Sequence, residues 1–308
     1  MAIDINRVSI IIPAMNEEAI IGQVVQGVGK VMVESDFDFE ILVVNDGSTD
    51  NTGVVAEQSG ATVVHHTYNM GNGAAIKTGI RNASGDVIVM LDGDGQHNPQ
   101  DIPRLLSEID RHAMVVGARS KSSQTQWHRD LANRVYNLLA SYVCGRPIPD
   151  LTSGFRAIWT RLARNFVYLL PNTFSYPTTL TLAVIRAGHC VKYVEIEAAL
   201  RVGKSKIRLF RDGTRFLVII FRITTLFSPL KVFLPVSVGL LILGVVWYIY
   251  NFVFVYHHFP PTSVILILSS VFIFLTGLVS EQVAQLRFDR SEGEGCISHD
   301  SQRQKESH

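Results

Sequence analysis

The chain has 308 residues, of which 47% are hydrophobic and 18% charged, so it has material for a large core or for two domains. Its net charge of +1 argues against a general nucleic-acid binder, although the basic residues are unevenly placed. The apolar run Val8 to Pro13 is too short for a signal peptide and is followed directly by Asn16-Glu17-Glu18, so the start of the chain is expected in the cytoplasm.

Arg7 to Pro13 is a β-branched run that predicts a first strand, and Ala19 to Val33 carries apolar residues at helical spacing. Glu40 to Asn45 predicts a second buried strand. It stops at Asp46-Gly47-Ser48-Thr49-Asp50-Asn51-Thr52, where short polar side chains suit the start of a helix running to about Gly60. Ala61 to His66 is a third strand. Tyr68 to Gly79 follows, and its Gly71 and Gly73 open a helix that leaves backbone amides and Lys77 near the positive end. Gly85 to Leu91 is a fourth strand, and Asp92-Gly93-Asp94-Gly95-Gln96-His97 breaks it off. Strands alternating with helices predict an α/β fold with a mostly parallel, doubly wound sheet and helices on both faces. Pro99 to Arg111, Trp127 to Cys144, Thr160 to Leu169 and Leu180 to Ala187 read as helices, and Ala113 to Ala118 and Val191 to Ile196 as strands. Thr152 to Arg156, between them, reads as a turn.

After Ile207 the composition changes. Arg208, Arg211, Arg215 and Arg222 share one helical face, as in a basic amphipathic helix at a lipid surface. Residues 232–256 and 262–279 are apolar runs, each near the roughly 20 residues needed to cross a bilayer. Their connection holds no Lys or Arg, whereas Lys231 precedes the pair and Arg287 follows, so the positive-inside rule predicts a hairpin with both ends cytoplasmic. The expected divisions are a catalytic domain over 1–206, an interface helix over 207–231, the hairpin over 232–280 and a polar, disordered tail over 281–308.

Chemistry concentrates at Asp92 and Asp94. Two carboxylates one residue apart repel unless a cation joins them, and a divalent ion carrying phosphate ligands resolves the repulsion. Asp46 is placed on a strand beside that of Asp92, so that both line one crevice, with Asp46 accepting from a nucleobase or ribose. Arg201, Lys204 and Lys206 form a dense positive loop suited either to phosphate oxygens or to lipid headgroups. Ser153 and Arg156 offer a hydroxyl and a guanidinium to an anion. His65, His66 and His97 share no ligand spacing and read as solvated or core histidines.

Taken in order, Ser9 to Glu17, Val43 to Thr52, Met70 to Gly79, Leu91 to Pro99, Gly117 to Arg119, Thr152 to Arg156 and Arg201 to Lys206 resemble family 2 glycosyltransferases of the GT-A fold. The nearest likeness is to the polyprenol-phosphate glycosyltransferases, the dolichol-phosphate mannose synthase group, and it runs to about Phe210. The resemblance implies that Pro13, Asn16, Glu17 and Asp46 contact the base and ribose of a nucleotide sugar, alongside Gly71, Gly73 and Lys77. It implies a Mg²⁺ or Mn²⁺ site at Asp92, Asp94 and Gln96, and acceptor phosphate handled by Arg119, Arg129, Arg134, Ser153 and Arg156. Arg201, Lys204 and Lys206 match the loop that closes over the phosphates. Relatives carry a bulky apolar residue at Gly95 and a small non-glycine residue at Gly93, so this loop is expected to be looser when empty.

The implied reaction is inverting transfer of a hexose, mannose or glucose, from a GDP- or UDP-hexose to a polyprenyl or dolichyl phosphate among membrane lipids. Asp92, Asp94 and Arg156 are the expected catalytic residues. Two alternatives stand beside it: a family 2 transferase acting on a growing polysaccharide or glycolipid, and a catalytically inert membrane adaptor with the same fold.

Overall fold

The computed structural model describes residues 5–119, 137–138, 140–142, 144–172, 175–197, 225, 228–255 and 260–288. Arg129, Arg134, Arg201, Lys204, Lys206, most of the basic segment before the hairpin and the end of the tail lie outside them. The chain divides between Ile207 and Arg208 into two compact units.

The first unit is built on seven strands: β1 (Arg7–Ala14), β2 (Asp38–Asn45), β3 (Thr62–His65), β4 (Val87–Met90), β5 (Met114–Arg119), β6 (Arg156–Trp159) and β7 (Val191–Ile196). They lie in the order β3-β2-β1-β4-β6-β5-β7. Apolar, β-branched runs on β1, β2 and β4 are buried throughout their central residues, as a sheet covered on both faces requires. Helices α1 (Ile21–Val33), α2 (Thr52–Gln58), α3 (Asn72–Asn82), α4 (Ile102–Ile109), α5 (Thr160–Phe166) and α6 (Tyr176–Arg186) fill the connections. A core of Val8, Ile10, Ile12, Val25, Val28, Leu105 and their neighbours packs α1 and α4 against the sheet.

Three features differ from the sequence reading. Asp46 does not stand beside the strand of Asp92, because β1 pairs in parallel with both β2 and β4 and separates them. The segment read as a turn at Thr152 to Arg156 instead feeds β6, which runs antiparallel between β4 and β5. Each of these strands needs both neighbours to complete its ladder, a non-local demand that a four-residue run does not announce. Residues 281–288, expected in the tail, instead belong to the last helix, which continues to Phe288.

The second unit holds two helices, α7 (Leu230–Phe254) and α8 (Pro261–Phe288). Both are long and apolar enough to cross a membrane, and most of their surface is left uncovered by protein. They meet along small residues recurring at heptad spacing, with Ser237 and Gly244 buried on α7 and Ser263, Ser270 and Ala284 buried on α8. Where lipid is as apolar as leucine, close backbone approach of this kind is what holds helices together. The hairpin is fastened at one end by Leu230 donating its N–H to Glu281 Oε2 at 3.1 Å, and near the other by Trp247 Nε1 donating to Thr262 Oγ1 at 2.9 Å. A Cβ on Gly277 would stand 2.6 Å from Cβ of Phe233. Gly277→Leu is therefore expected to destabilise the hairpin by about 1–3 kcal/mol, read as a lower unfolding midpoint of the full chain in detergent.

Candidate active site

Chain order explains where the site lies. The chain leaves β1 for β2 and β3 on one side and then returns for β4 on the other, so the crevice between the carboxyl ends of β1 and β4 is a topological switch point. Four loops meet at that edge: residues 15–18 after β1, 46–52 after β2, 66–71 after β3 and 91–98 after β4.

The first two loops are laced together. Asn16, at a positive φ of 55° that asparagine tolerates, donates its N–H to Ser48 Oγ at 3.0 Å, and its Oδ1 accepts from the Thr49 amide at 2.8 Å. Glu17 donates to Thr52 Oγ1 at 2.9 Å, and its carbonyl accepts from Ile20 and Ile21 to start α1. Pro13 lies in β1, and its carbonyl oxygen would be 3.0 Å from a Cβ on Gly93, which ties the first loop to the Asp92 loop by contact.

Asp46 is buried, with 3% of its surface exposed. Its Oδ1 and Oδ2 accept from the amides of Met70 at 2.9 Å and Gly71 at 2.8 Å, and His66 Nδ1 lies 2.7 Å from Oδ1. The other ring nitrogen of His66 reaches Thr78 Oγ1 at 2.9 Å, making it a core histidine that bridges loop and helix. Asp46 thus holds the 66–71 loop. Asp46→Ala would strand these buried partners, so unfolding free energy should fall by about 1–3 kcal/mol, checked by denaturant melts. An unchanged melt with a raised donor KM would instead mark Asp46 as a reader of the nucleotide.

Gly71, at φ 101°, and Gly73 open α3, but Lys77 donates to Asn172 Oδ1. Burial and the nearby Arg81 lower the Lys77 pKa. Its ammonium is turned toward the loop before α6.

Asp92 follows β4 and has about a third of its side chain exposed, at 32%. Burial raises the pKa of its carboxyl, but a hydrogen bond and charge from His97, a hydrogen bond from Asn72 and the charge of Arg156 together hold it below the usual carboxylate range. Met90 pairs with Arg156 in the antiparallel ladder, and the same register carried two residues further sets Asp92 opposite Gly154. A Cβ on Gly154 would lie 2.6 Å from Asp92 Oδ2, so the carboxylate rests directly on that glycine. Asp94 accepts the Gln96 N–H on its Oδ1 at 3.1 Å in a tight turn. Gly95 has φ +72°, and a Cβ there would lie 3.0 Å from Ile20 Cγ1. Glycine is thus favoured at Gly95 by backbone and by space, and a side chain at Gly93 would press on the Pro13 carbonyl, which gives the pair a packing reason that composition did not reveal.

The donor set fits a divalent ion shared with a diphosphate. Asp92 and Asp94 supply hard carboxylate oxygens, Asp92 is kept ionised, and Gly154 leaves its carboxylate uncrowded by side-chain carbon. Among the described residues no group of three or more His, Cys, Asp or Glu comes together, so this protein surface alone builds no closed cage.

Arg119 ends β5 and is gripped by Asp150, with Nε 2.8 Å from Oδ2 and Nη2 3.0 Å from Oδ1, while Nη2 also meets Thr152 Oγ1 at 2.6 Å. Burial raises the Asp150 pKa, and the Arg119 hydrogen bond and charge outweigh it and lower the value overall. The same carboxylate takes the amides of Thr152 and Ser153 at 3.0 and 3.2 Å, which shapes the turn that delivers Gly154. Arg156 is fully buried. Its Nη1 donates to the Pro177 carbonyl at 2.9 Å and Thr181 Oγ1 at 3.0 Å, and Nη2 to the Ser153 carbonyl. It braces the turn and the start of α6 and is closed off from an incoming anion. Ser153 is 1% exposed and its Oγ has no hydrogen-bond partner.

Sequence reasoning missed Asp150, Gly154, Asn72 and the company of His97. Gly154 lies inside a motif already singled out, but its task depends on a strand pairing the sequence does not display.

Residues 9–166 match the model of glycosyl transferase family 2, and residues 228–286 match the GtrB C-terminal hairpin. Undecaprenyl-phosphate 4-deoxy-4-formamido-L-arabinose transferase of Proteus mirabilis is 30% identical over 56% of this chain and 58% of its own length. The aligned part thus spans somewhat over half of that relative. The enzyme of the same name from Sodalis glossinidius is 26% identical over 92% of this chain and 90% of its own. Among solved structures, glucosyl-3-phosphoglycerate synthase from Mycobacterium tuberculosis, in complex with Mn²⁺ and UDP-glucose, superposes with a TM-score of 0.57 at 22% identity, covering 70% of this chain and 79% of that one. The same enzyme with phosphoglyceric acid gives 0.58 at 21% identity, over 71% and 80%. At that identity the likeness is one of fold.

Proposed function

The chain belongs to glycosyl transferase family 2, and from that premise we propose that it transfers a sugar from a nucleoside-diphosphate donor to a polyprenyl phosphate at the cytoplasmic face of a membrane. The observation that carries this reading is the Asp92 carboxylate, held ionised at the switch point with Asp94 two residues on. Support for the lipid acceptor comes from the undecaprenyl-phosphate transferases it resembles and from the hairpin match. Support for a metal and a nucleotide donor comes from the mycobacterial synthase.

Asp92 and Asp94 would hold Mg²⁺ or Mn²⁺, with Gln96 as the further ligand expected from the motif. When bound, the ion supplies positive charge against the charge growing on the departing diphosphate. The acceptor brings its own nucleophile: a phosphate monoester with a second pKa near about 6 is largely dianionic at neutral pH, so no side chain need remove a proton. Its oxygen attacks the anomeric carbon from the face opposite the diphosphate, the bond to the diphosphate breaks, and configuration inverts. Arg119, partly exposed and already aligned by Asp150, meets the acceptor phosphate, whereas Arg156 acts from beneath by fixing the Ser153 turn. Arg129, Arg134, Arg201, Lys204 and Lys206 would add charge around the phosphates. The basic segment before the hairpin and the hairpin itself would tie the chain to the membrane that holds the lipid acceptor.

The sugar is proposed as a hexose, mannose or glucose, on GDP or UDP. Purified full chain with Mg²⁺ or Mn²⁺ should release nucleoside diphosphate from one member of a panel of labelled nucleotide sugars only when polyprenyl phosphate is present. The panel includes GDP-mannose, UDP-glucose and a nucleotide-linked 4-deoxy-4-formamido-L-arabinose. Turnover of the last alone overturns the hexose, and no acceptor-dependent release from any donor overturns the transferase.

A further inference from the structure

We propose that His97 and Asn72 are positioning residues that clamp the Asp92 carboxylate, with His97 and Gly154 occupying Oδ2 so that the ion is met through Oδ1. The inference rests on the metal reading above and extends it to side chains outside the Asp-x-Asp pair.

The imidazole of His97 lies in the loop after β4, with only 6% of its side chain exposed, and its Nε2 stands 3.5 Å from Asp92 Oδ2. That is at the long limit for a hydrogen bond but close enough for the ring to be the main influence pulling the carboxyl's pKa down against burial. The ring cannot swing freely. It lies against Phe155, with centroids 5.2 Å apart and planes tilted by 32°, and Phe155 is itself fully buried. On the far side of the ring, Nδ1 is buried without a hydrogen-bond partner. Leaving a buried acceptor unpaired costs about 1–3 kcal/mol, so a histidine retained only for packing would be poorly placed here. Of the two ring nitrogens, Nε2 is the one that stands beside the Asp92 carboxylate.

Gly154 takes the remaining space at Oδ2, since a Cβ there would lie 2.6 Å from Oδ2 and 3.1 Å from Oδ1. Asn72, the first residue of α3, adds to the influences that lower the pKa of the same carboxylate, and its Oδ1 is buried and unpaired. Two adjacent residues just before β6 thus stand against the loop after β4: Gly154 against Asp92 itself, and Phe155 against the histidine beside it. A carboxylate with one oxygen committed and its plane fixed offers the other oxygen in a single direction, the usual service of groups that stand behind a metal ligand.

The test uses the full chain in detergent and Mn²⁺ alone as the probe, with binding followed by electron paramagnetic resonance of the free ion. His97→Phe keeps a ring against Phe155 but removes the donor, and should weaken Mn²⁺ binding by roughly 10–100-fold at an unchanged melting midpoint. His97→Gln, whose amide N–H can reach Asp92, should recover part of the loss. Asn72→Ala should weaken binding in the same direction, and it decides the matter if His97→Phe does not fold. Parent-like Mn²⁺ affinity in His97→Phe, or in Asn72→Ala should the first variant be unfolded, overturns the clamp while leaving the metal site intact. Parent protein that binds Mn²⁺ no better than Asp94→Asn overturns the metal reading and the clamp with it.

Discussion

Asp94→Asn is expected to lower sugar transfer by on the order of 10²–10³-fold, the range lost when one preorganised electrostatic contact to developing charge is removed. The substitution isolates charge from shape. The Asp94 oxygen that accepts the Gln96 amide can be replaced by the amide oxygen of asparagine, so the turn survives while the negative charge goes. Melting behaviour and recovery in the membrane fraction should match the parent, and equal activity in the variant would remove Asp94 from any metal role.

Gly154→Ala is expected to cost about 10²-fold in turnover, because misplacing a reacting group by roughly 1 Å is enough for a loss of that size. The new Cβ would lie 2.6 Å from Asp92 Oδ2, and the carboxylate has to move. It cannot move freely, since Arg156 fixes the turn beneath it and His97 stands beside it. Gly239→Ala, where a Cβ meets open space, is the matched control and should leave turnover alone. Parent-like turnover in Gly154→Ala would show that Asp92 has room to adjust, contrary to the packing described.

These two sites differ in how far they can be read before folding. Asp92 and Asp94 announce themselves through local chemistry: an apolar run ends in two carboxylates, and the run's period and burial make it a strand whose carboxyl end must carry them. The alternation of strands and helices fixes the α/β class for the same reason, since each apolar stripe must find a cover. The two long apolar runs likewise declare helices able to span a bilayer through length alone.

Gly154, Asp150, Asn72 and His97 carry no such local mark. The place of Gly154 beside Asp92 arises from β6, whose four residues pair antiparallel with β4 across some seventy positions of sequence, and the other three are likewise set by parts of the chain far from them in sequence or by the fold of their loops. Asp46 and Arg156 show the reverse, chemically suggestive residues whose hydrogen bonds are spent on the protein's own backbone, on Met70 and Gly71 in one case and on Ser153 and Pro177 in the other. The sequence by itself determined the chemical groups, the strand ends that bear them and the apolar lengths of the hairpin, because propensity, period and charge act over a few neighbouring residues. Only the tertiary structure decided which oxygen of Asp92 is already occupied and which polar groups are already satisfied. Those outcomes depend on register between distant strands, and one residue's slip in that register would reverse every side chain involved.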